Sequence, residues 1–199
     1  MPSTFTSNFA LEKIATGEQS GTWGDTTNFN VDIFDRLAGY AQIIMTSTAE
    51  TLQVRPATPT QGASNTEDGM FRVIEYVDLA DLGGDVTLTI APANTKAFFF
   101  IKNSLTADRN IIVTQGSGNT VTIPGSGKVS ILYGDGGGAT ANVVSLSDTL
   151  AMSNPEITGG TVTGLTNLSM ADAAAQSRAH AGLNVDAAGT AVALSIALG

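Results

Sequence analysis

Val86-Thr87-Leu88-Thr89-Ile90, followed by Ala97-Phe98-Phe99-Phe100-Ile101, decides how the chain folds. In the first stretch Val86, Leu88 and Ile90 alternate with two threonines, the period-two pattern of a strand with one face in a core. The second is apolar on both faces, which predicts a central strand. Beyond them Asn110 to Thr114, Thr120 to Ile123, Val129 to Tyr133 and Ala141 to Ser145 continue the series at roughly ten-residue spacing. Turns fall at Gly116-Ser117-Gly118-Asn119, at Pro124-Gly125-Ser126-Gly127 and across Gly134 to Gly138. Short strands at regular intervals with glycine turns predict a mainly β chain built on an antiparallel β-sandwich or β-roll module.

Towards the N-terminus, Met70 to Val77 is strand-like, with Ile74 and Tyr76 opposite Val73 and Glu75. Pro56 to Gly69 is rich in Pro, Thr, Gly, Ser and Asn and predicts an exposed loop. Ala41, Ile43 and Met45 alternate with Gln42, Ile44 and Thr46, and Thr51 to Val54 follows after a turn, so a pair of strands is expected. Before Gly39 the period changes. Phe29, Ile33 and Leu37 recur every four residues and predict a short helix, with Asp25 as its N-cap and Gly39 as a left-handed C-terminal stop.

On the C-terminal side, residues 154–165 read as two small β rungs separated by glycines, and Met170 to Ala181 as a short alanine-rich helix. Ala191 to Leu198 is an uncharged apolar end whose exposure to water is unfavourable. The expected organisation is an N-terminal segment with the helix over 1–46, a β-sandwich-like module over 47–146 and a glycine-rich docking segment over 147–199.

Composition narrows the function. Charged residues are 14% of the 199-residue chain, against roughly 25% in ordinary globular proteins. A surface so poor in charge favours burial against other copies or a scaffold. With 18 acids, 9 bases and no basic stripe, nucleic-acid binding is excluded. There is no cysteine, hence neither disulfides nor thiolate metal sites. Met1 to Phe5 lacks a basic region and apolar core, so synthesis in a cytoplasm without a signal peptide is expected, and no membrane insertion.

No constellation carries catalysis or holds a cofactor. His180 is the single histidine, and one imidazole without a second ligand does not make a zinc site. No Gly-x-Ser-x-Gly elbow is present, and Gly125-Ser126-Gly127 reads as a hairpin turn. Asp25, Asp32 and Asp35, or Glu67 with Asp68, read as a cap, a solvated helix face and an acidic loop rather than paired carboxylates. The Asp135 loop lacks the other ligands of a calcium site, and its glycines read as a flexible turn. The expectation is a non-enzyme without cofactor or metal.

Three stretches carry a resemblance. Thr16-Gly17-Glu18-Gln19-Ser20-Gly21-Thr22-Trp23-Gly24-Asp25-Thr26-Thr27-Asn28, before a short helix, resembles an N-terminal segment of bacteriophage tail-fibre and appendage proteins, notably of marine phages. Phe99 to Asn103, Val121 to Pro124 and Ile131 to Gly136 resemble a β module of the same proteins, in which a "KN" turn, a "GTVTIP" strand and a "LYxDG" strand follow in order. Pro155 to Leu165 is similar to the "PxITGGTITGI" runs that close such modules. Together they cover most of the chain, in the family's order.

The resemblance implies a structural virion subunit of a tail fibre or tail appendage, assembled as a homotrimer with other phage tail or head proteins as partners. It implies attachment through Trp23, Phe29, Ile33 and Leu37, and contacts between copies through Ile157, Val162, Leu165, Leu194, Ile196 and Leu198. Such fibres are usually far longer, which keeps an adaptor, a capsid decoration or a head fibre as alternatives. A further alternative is a small carbohydrate-binding module that meets a host surface glycan, with Tyr133 or Tyr40 as its ring.

Overall fold

A computed structural model describes residues 2–147, Ser126 apart, all within a unit spanning Met1–Ala151. The expected C-terminal rungs, helix and docking segment lie outside the described residues. Within them the chain is mainly β, with one helix. Two short strands, β1 (Thr4–Phe5) and β2 (Glu12–Lys13), pair antiparallel ahead of α1 (Trp23–Ala38). Nine strands follow: β3 (Tyr40–Ile44), β4 (Ala49–Gln53), β5 (Val73–Val77), β6 (Val86–Ala91), β7 (Ala97–Ser104), β8 (Ile111–Thr114), β9 (Val121–Ile123), β10 (Val129–Gly134) and β11 (Val143–Ser145).

Their pairing departs from the antiparallel expectation. A five-stranded sheet has the order β11-β10-β7-β5-β3, and a four-stranded sheet the order β4-β6-β8-β9. From β3 to β8 the chain lays strands alternately in one sheet and the other. Each circuit therefore adds a strand parallel to that of the circuit before: β3, β5 and β7 in one sheet, β4, β6 and β8 in the other. Parallel neighbours need a crossover, commonly a helix, and here the crossover is a strand of the opposite sheet. Antiparallel pairing returns only at the end, in β8–β9, β7–β10 and β10–β11. Thus β3 and β4 both exist, but they belong to opposite sheets. Likewise β9 and β10, on either side of the expected hairpin turn, belong to opposite sheets.

The two sheets share one core. Ile74, Tyr76, Phe99, Ile101, Leu132 and Val143 come from the five-stranded sheet, and Leu52, Leu88, Ile90, Ile111, Val113 and Ile123 from the other. Alternation along β6 sends every second residue inward, as its sequence predicts, while β7, apolar on both faces, alternates as well and leaves Phe98 and Phe100 exposed on the outer side. Strand β7 is central in its sheet. Asn103, the second residue of the "KN" pair, lies inside β7 and is wholly buried. Its amide donates to the carbonyls of Arg109 (2.8 Å) and Ile123 (3.0 Å) and accepts the Leu105 N–H (3.1 Å).

Two expectations about α1 need correction. The helix starts at Trp23, after Thr22, because the Gln19 carbonyl accepts the N–H groups of both Thr22 and Trp23 and winds the chain early. Asp25 therefore sits in the first turn and makes no cap bond. Gly39 is extended (φ −96°), not left-handed, since β3 begins at the next residue. A Cβ there would lie 3.1 Å from the Phe71 ring, so the close approach is what suits glycine.

Candidate partner-binding surfaces

Helix α1 is fixed by Gln19 and Thr26 of the "TGEQSGTWGDTTN" segment together with Glu12 and Asn30 on either side of it. Glu12 is buried, and its Oε2 accepts the Gly62 N–H at 2.7 Å, tying the N-terminal pair to the 54–67 loop. The Gln19 amide donates to Glu12 Oε1 and accepts from the Thr26 hydroxyl. Asn30 pairs with the Glu12 backbone through two bonds of 2.9 Å. A buried carboxylate is tolerable only with such partners, and Gln19 and Asn30 link this one to the helix as well.

That anchorage decides which helix face stays free. Ile33 is 1% exposed and Thr26 is buried, while Phe29 and Leu37 are half-buried beside them. The expected attachment stripe of Phe29, Ile33 and Leu37 is thus the face turned into the protein. Trp23, the fourth residue of that set, is 62% exposed at the helix start. Val31 and Phe34, at helical spacing from it, are also more than half exposed. The period of four picks out Phe29, Ile33 and Leu37 and passes over Val31 and Phe34, which sit next to Asn30, Asp32 and Asp35 in the sequence. The helix has two apolar stripes, one facing in and one facing out.

The sheets differ sharply on their outer faces. The four-stranded sheet presents Thr51, Thr87, Thr89, Thr114 and Thr122, ordinary water-facing strand residues. On the five-stranded sheet, register aligns Tyr40, Val73, Phe100 and Ile131 in one row across four strands. Tyr40 is 53% exposed, and Val73 and Phe100 are about 40% exposed. A second row brings Phe98 opposite Tyr133. Ile44 and Val129 are half-exposed at the corners. Phe98 and Phe100 meet edge to face, 6.3 Å between centroids.

One polar cluster interrupts this face. Glu75 accepts from Lys102 Nζ (2.8 Å), Ser104 Oγ (2.7 Å), Gln42 Nε2 (3.2 Å) and the Tyr40 hydroxyl. The Lys102 ammonium, then the Tyr40 and Ser104 hydroxyls, hold the Glu75 carboxyl down to about 2. Arg72, on the approach to β5, is largely buried against Phe9, Phe98 and Phe99, with ring centroids 5.0–5.5 Å away. Burial pulls its guanidinium down to about 10. Its hydrogen bonds go to the carbonyls of Gly69, Met70 and Phe98. The charges of Glu75, Lys102 and Arg72 therefore all have partners within the protein, and around this polar cluster the exposed side chains of the face are mostly apolar.

His180 and the six C-terminal contact residues, Ile157, Val162, Leu165, Leu194, Ile196 and Leu198, lie outside the described residues. Among the described residues no three His, Cys, Asp or Glu side chains converge to hold a metal ion. Nor is any helix among them long and apolar enough to cross a membrane. Asp32 and Asp35 are exposed on the helix, and Asp68 pairs with Arg36 at 3.3 Å. Comparison with protein-family models, with curated proteins and with solved structures finds no match to the chain.

Proposed function

We propose that the protein is a structural subunit of a bacteriophage virion, a tail-fibre or tail-appendage component that assembles as a homotrimer and has no enzymatic activity. One observation carries the assembly part of this reading. The row Tyr40–Val73–Phe100–Ile131 lies on one outer face with Tyr40, Val73 and Phe100 exposed, while the opposite face is threonine-rich. Exposed apolar surface of this kind marks contact with another protein. The three family-like stretches supply the phage part. The polar residues of the first of them hold α1 with Trp23 outward, as an attachment point requires, since a central aromatic is a common interface anchor. Trp23, Val31 and Phe34 then meet the neighbouring virion protein, and the sheet face meets copies of the chain.

Antibody labelling of purified particles tests the location. Label at the tail is the expected result. Label on the head shell would replace the tail role by decoration, and absence of the chain from purified particles would overturn the virion reading.

A further inference from the structure

At one end of the five-stranded sheet, beside the turn that joins β10 to β11, an open pocket of about 440 Å³ is lined by Lys96, Ala97, Phe98, Tyr133, Gly134 and Asp135. Its volume falls within the range of small-molecule sites. The floor is aromatic, because Phe98 and Tyr133 are directly opposite across the β7–β10 ladder, with Phe98 half-exposed. One cation and one carboxylate stand at its rim.

The rim is built, not loose. Gln115 is buried; its amide donates to the Thr95 carbonyl (2.6 Å) and accepts the Gly136 N–H (3.1 Å). Those groups adjoin Lys96 on one wall and Asp135 on the other. The Gly138 N–H reaches the Ala93 carbonyl at 3.2 Å and ties the same two loops again. Gly134 is required here, since a Cβ would lie 2.5 Å from Gln115 Oε1. Asp135 is held as firmly: its Oδ1 accepts the N–H groups of Gly137 and Asn142 (both 2.9 Å), and its Oδ2 the Asn142 amide (2.8 Å). The loop expected to be flexible is thus fixed by the aspartate within it. A carboxylate offers about four acceptor positions, so one on Oδ2 is left for a ligand.

The geometry points to a binding site for a neutral pyranose sugar. The C–H face of such a ring stacks on the negative face of an aromatic side chain. Its hydroxyls both donate and accept, which matches a fixed carboxylate beside an ammonium donor. One negative and one positive rim group give the pocket no net charge, so it has no preference for an anionic sugar. Such a site goes beyond the proposed structural role and stands without it, because it rests on this pocket alone.

Saturation-transfer NMR and calorimetry on the full chain test it, with the methyl glycosides of glucose, galactose and mannose, N-acetylglucosamine, and N-acetylneuraminic acid as the anionic probe. The expected result is transfer from at least one neutral sugar, with a Kd on the order of millimolar, as one small open pocket allows. Phe98→Ala should weaken it about tenfold or more, whereas Tyr40→Ala, two strands away, should leave it unchanged. Lys96→Ala alters an exposed side chain and should also weaken binding; it keeps the test open should Phe98→Ala fold poorly. No transfer from any neutral probe, equal binding by Phe98→Ala and Lys96→Ala, or preference for N-acetylneuraminic acid would each overturn the site.

Discussion

Asn103 shows what a single side chain contributes here. Its amide satisfies three backbone groups beneath the corner where β7, β8 and β9 meet, those of Leu105 and Ile123 in buried bonds and that of Arg109 in a part-buried one. Asn103→Ala strands all three, and each buried unsatisfied group costs about 1–3 kcal/mol. Urea unfolding should show a loss of about 2–4 kcal/mol with an unchanged slope. Glu75 offers a complementary test through pH. Its folded carboxyl sits near 2, below the usual 4.5, so it stabilises the fold fully above about pH 4.5. That contribution falls away as pH drops through this window towards 2. Melting curves of Glu75→Gln should lie below those of the parent at pH 6 and converge with them near pH 2. The gap should be about 1 kcal/mol or less, since Lys102 is 44% exposed and the pair is partly screened.

Among elements, the glycines separate two roles that look alike in sequence. Gly24 lies in the first turn of α1, and a Cβ added there would meet nothing within 4 Å, so Gly24→Ala should stabilise the protein by about 0.5–1 kcal/mol. Gly125 lies against the Asp108 backbone, where a Cβ would come within 2.4 Å. Gly125→Ala should destabilise by about 1–3 kcal/mol, because backbone on both sides must move. Differential scanning calorimetry of the two variants checks both signs. At the helix, Trp23→Ala removes a side chain that is mostly in water, so the melting temperature should barely change while attachment to particles is lost. Pull-down of the full chain with purified fibreless particles reads that loss directly.

Strand positions were legible because alternation is local: Val86, Leu88 and Ile90 point inward in the structure as their spacing requires. Strand partners were not, because nothing in Ala49–Gln53 says that it pairs with β6 rather than with β3. The β1–β2 pairing was invisible too, since two residues per strand leave no period. The inward stripe of α1 was readable at Ile33, but a period cannot tell which of two apolar stripes faces the solvent. The sugar pocket had one sequence signal, Tyr133 beside Gly134-Asp135-Gly136. Its other wall, Lys96 and Phe98, comes from a distant part of the sequence, and only the β7–β10 pairing brings it there.

At the scale of the whole molecule, two sheets wound by one chain have two outer faces of opposite character. A threonine face needs no cover. A face with Tyr40, Val73 and Phe100 in one exposed row does not suit a free monomer, and about 800 Å² per partner is what a stable interface commonly buries. In the proposed assembly that cover comes from other copies of the chain. Multi-angle light scattering on the purified full chain at tens of micromolar is the most direct measurement. It should give three times the 20.3 kDa chain mass, falling to one with Val73→Lys and Phe100→Lys combined. A single 20.3 kDa species for the unaltered chain would contradict it.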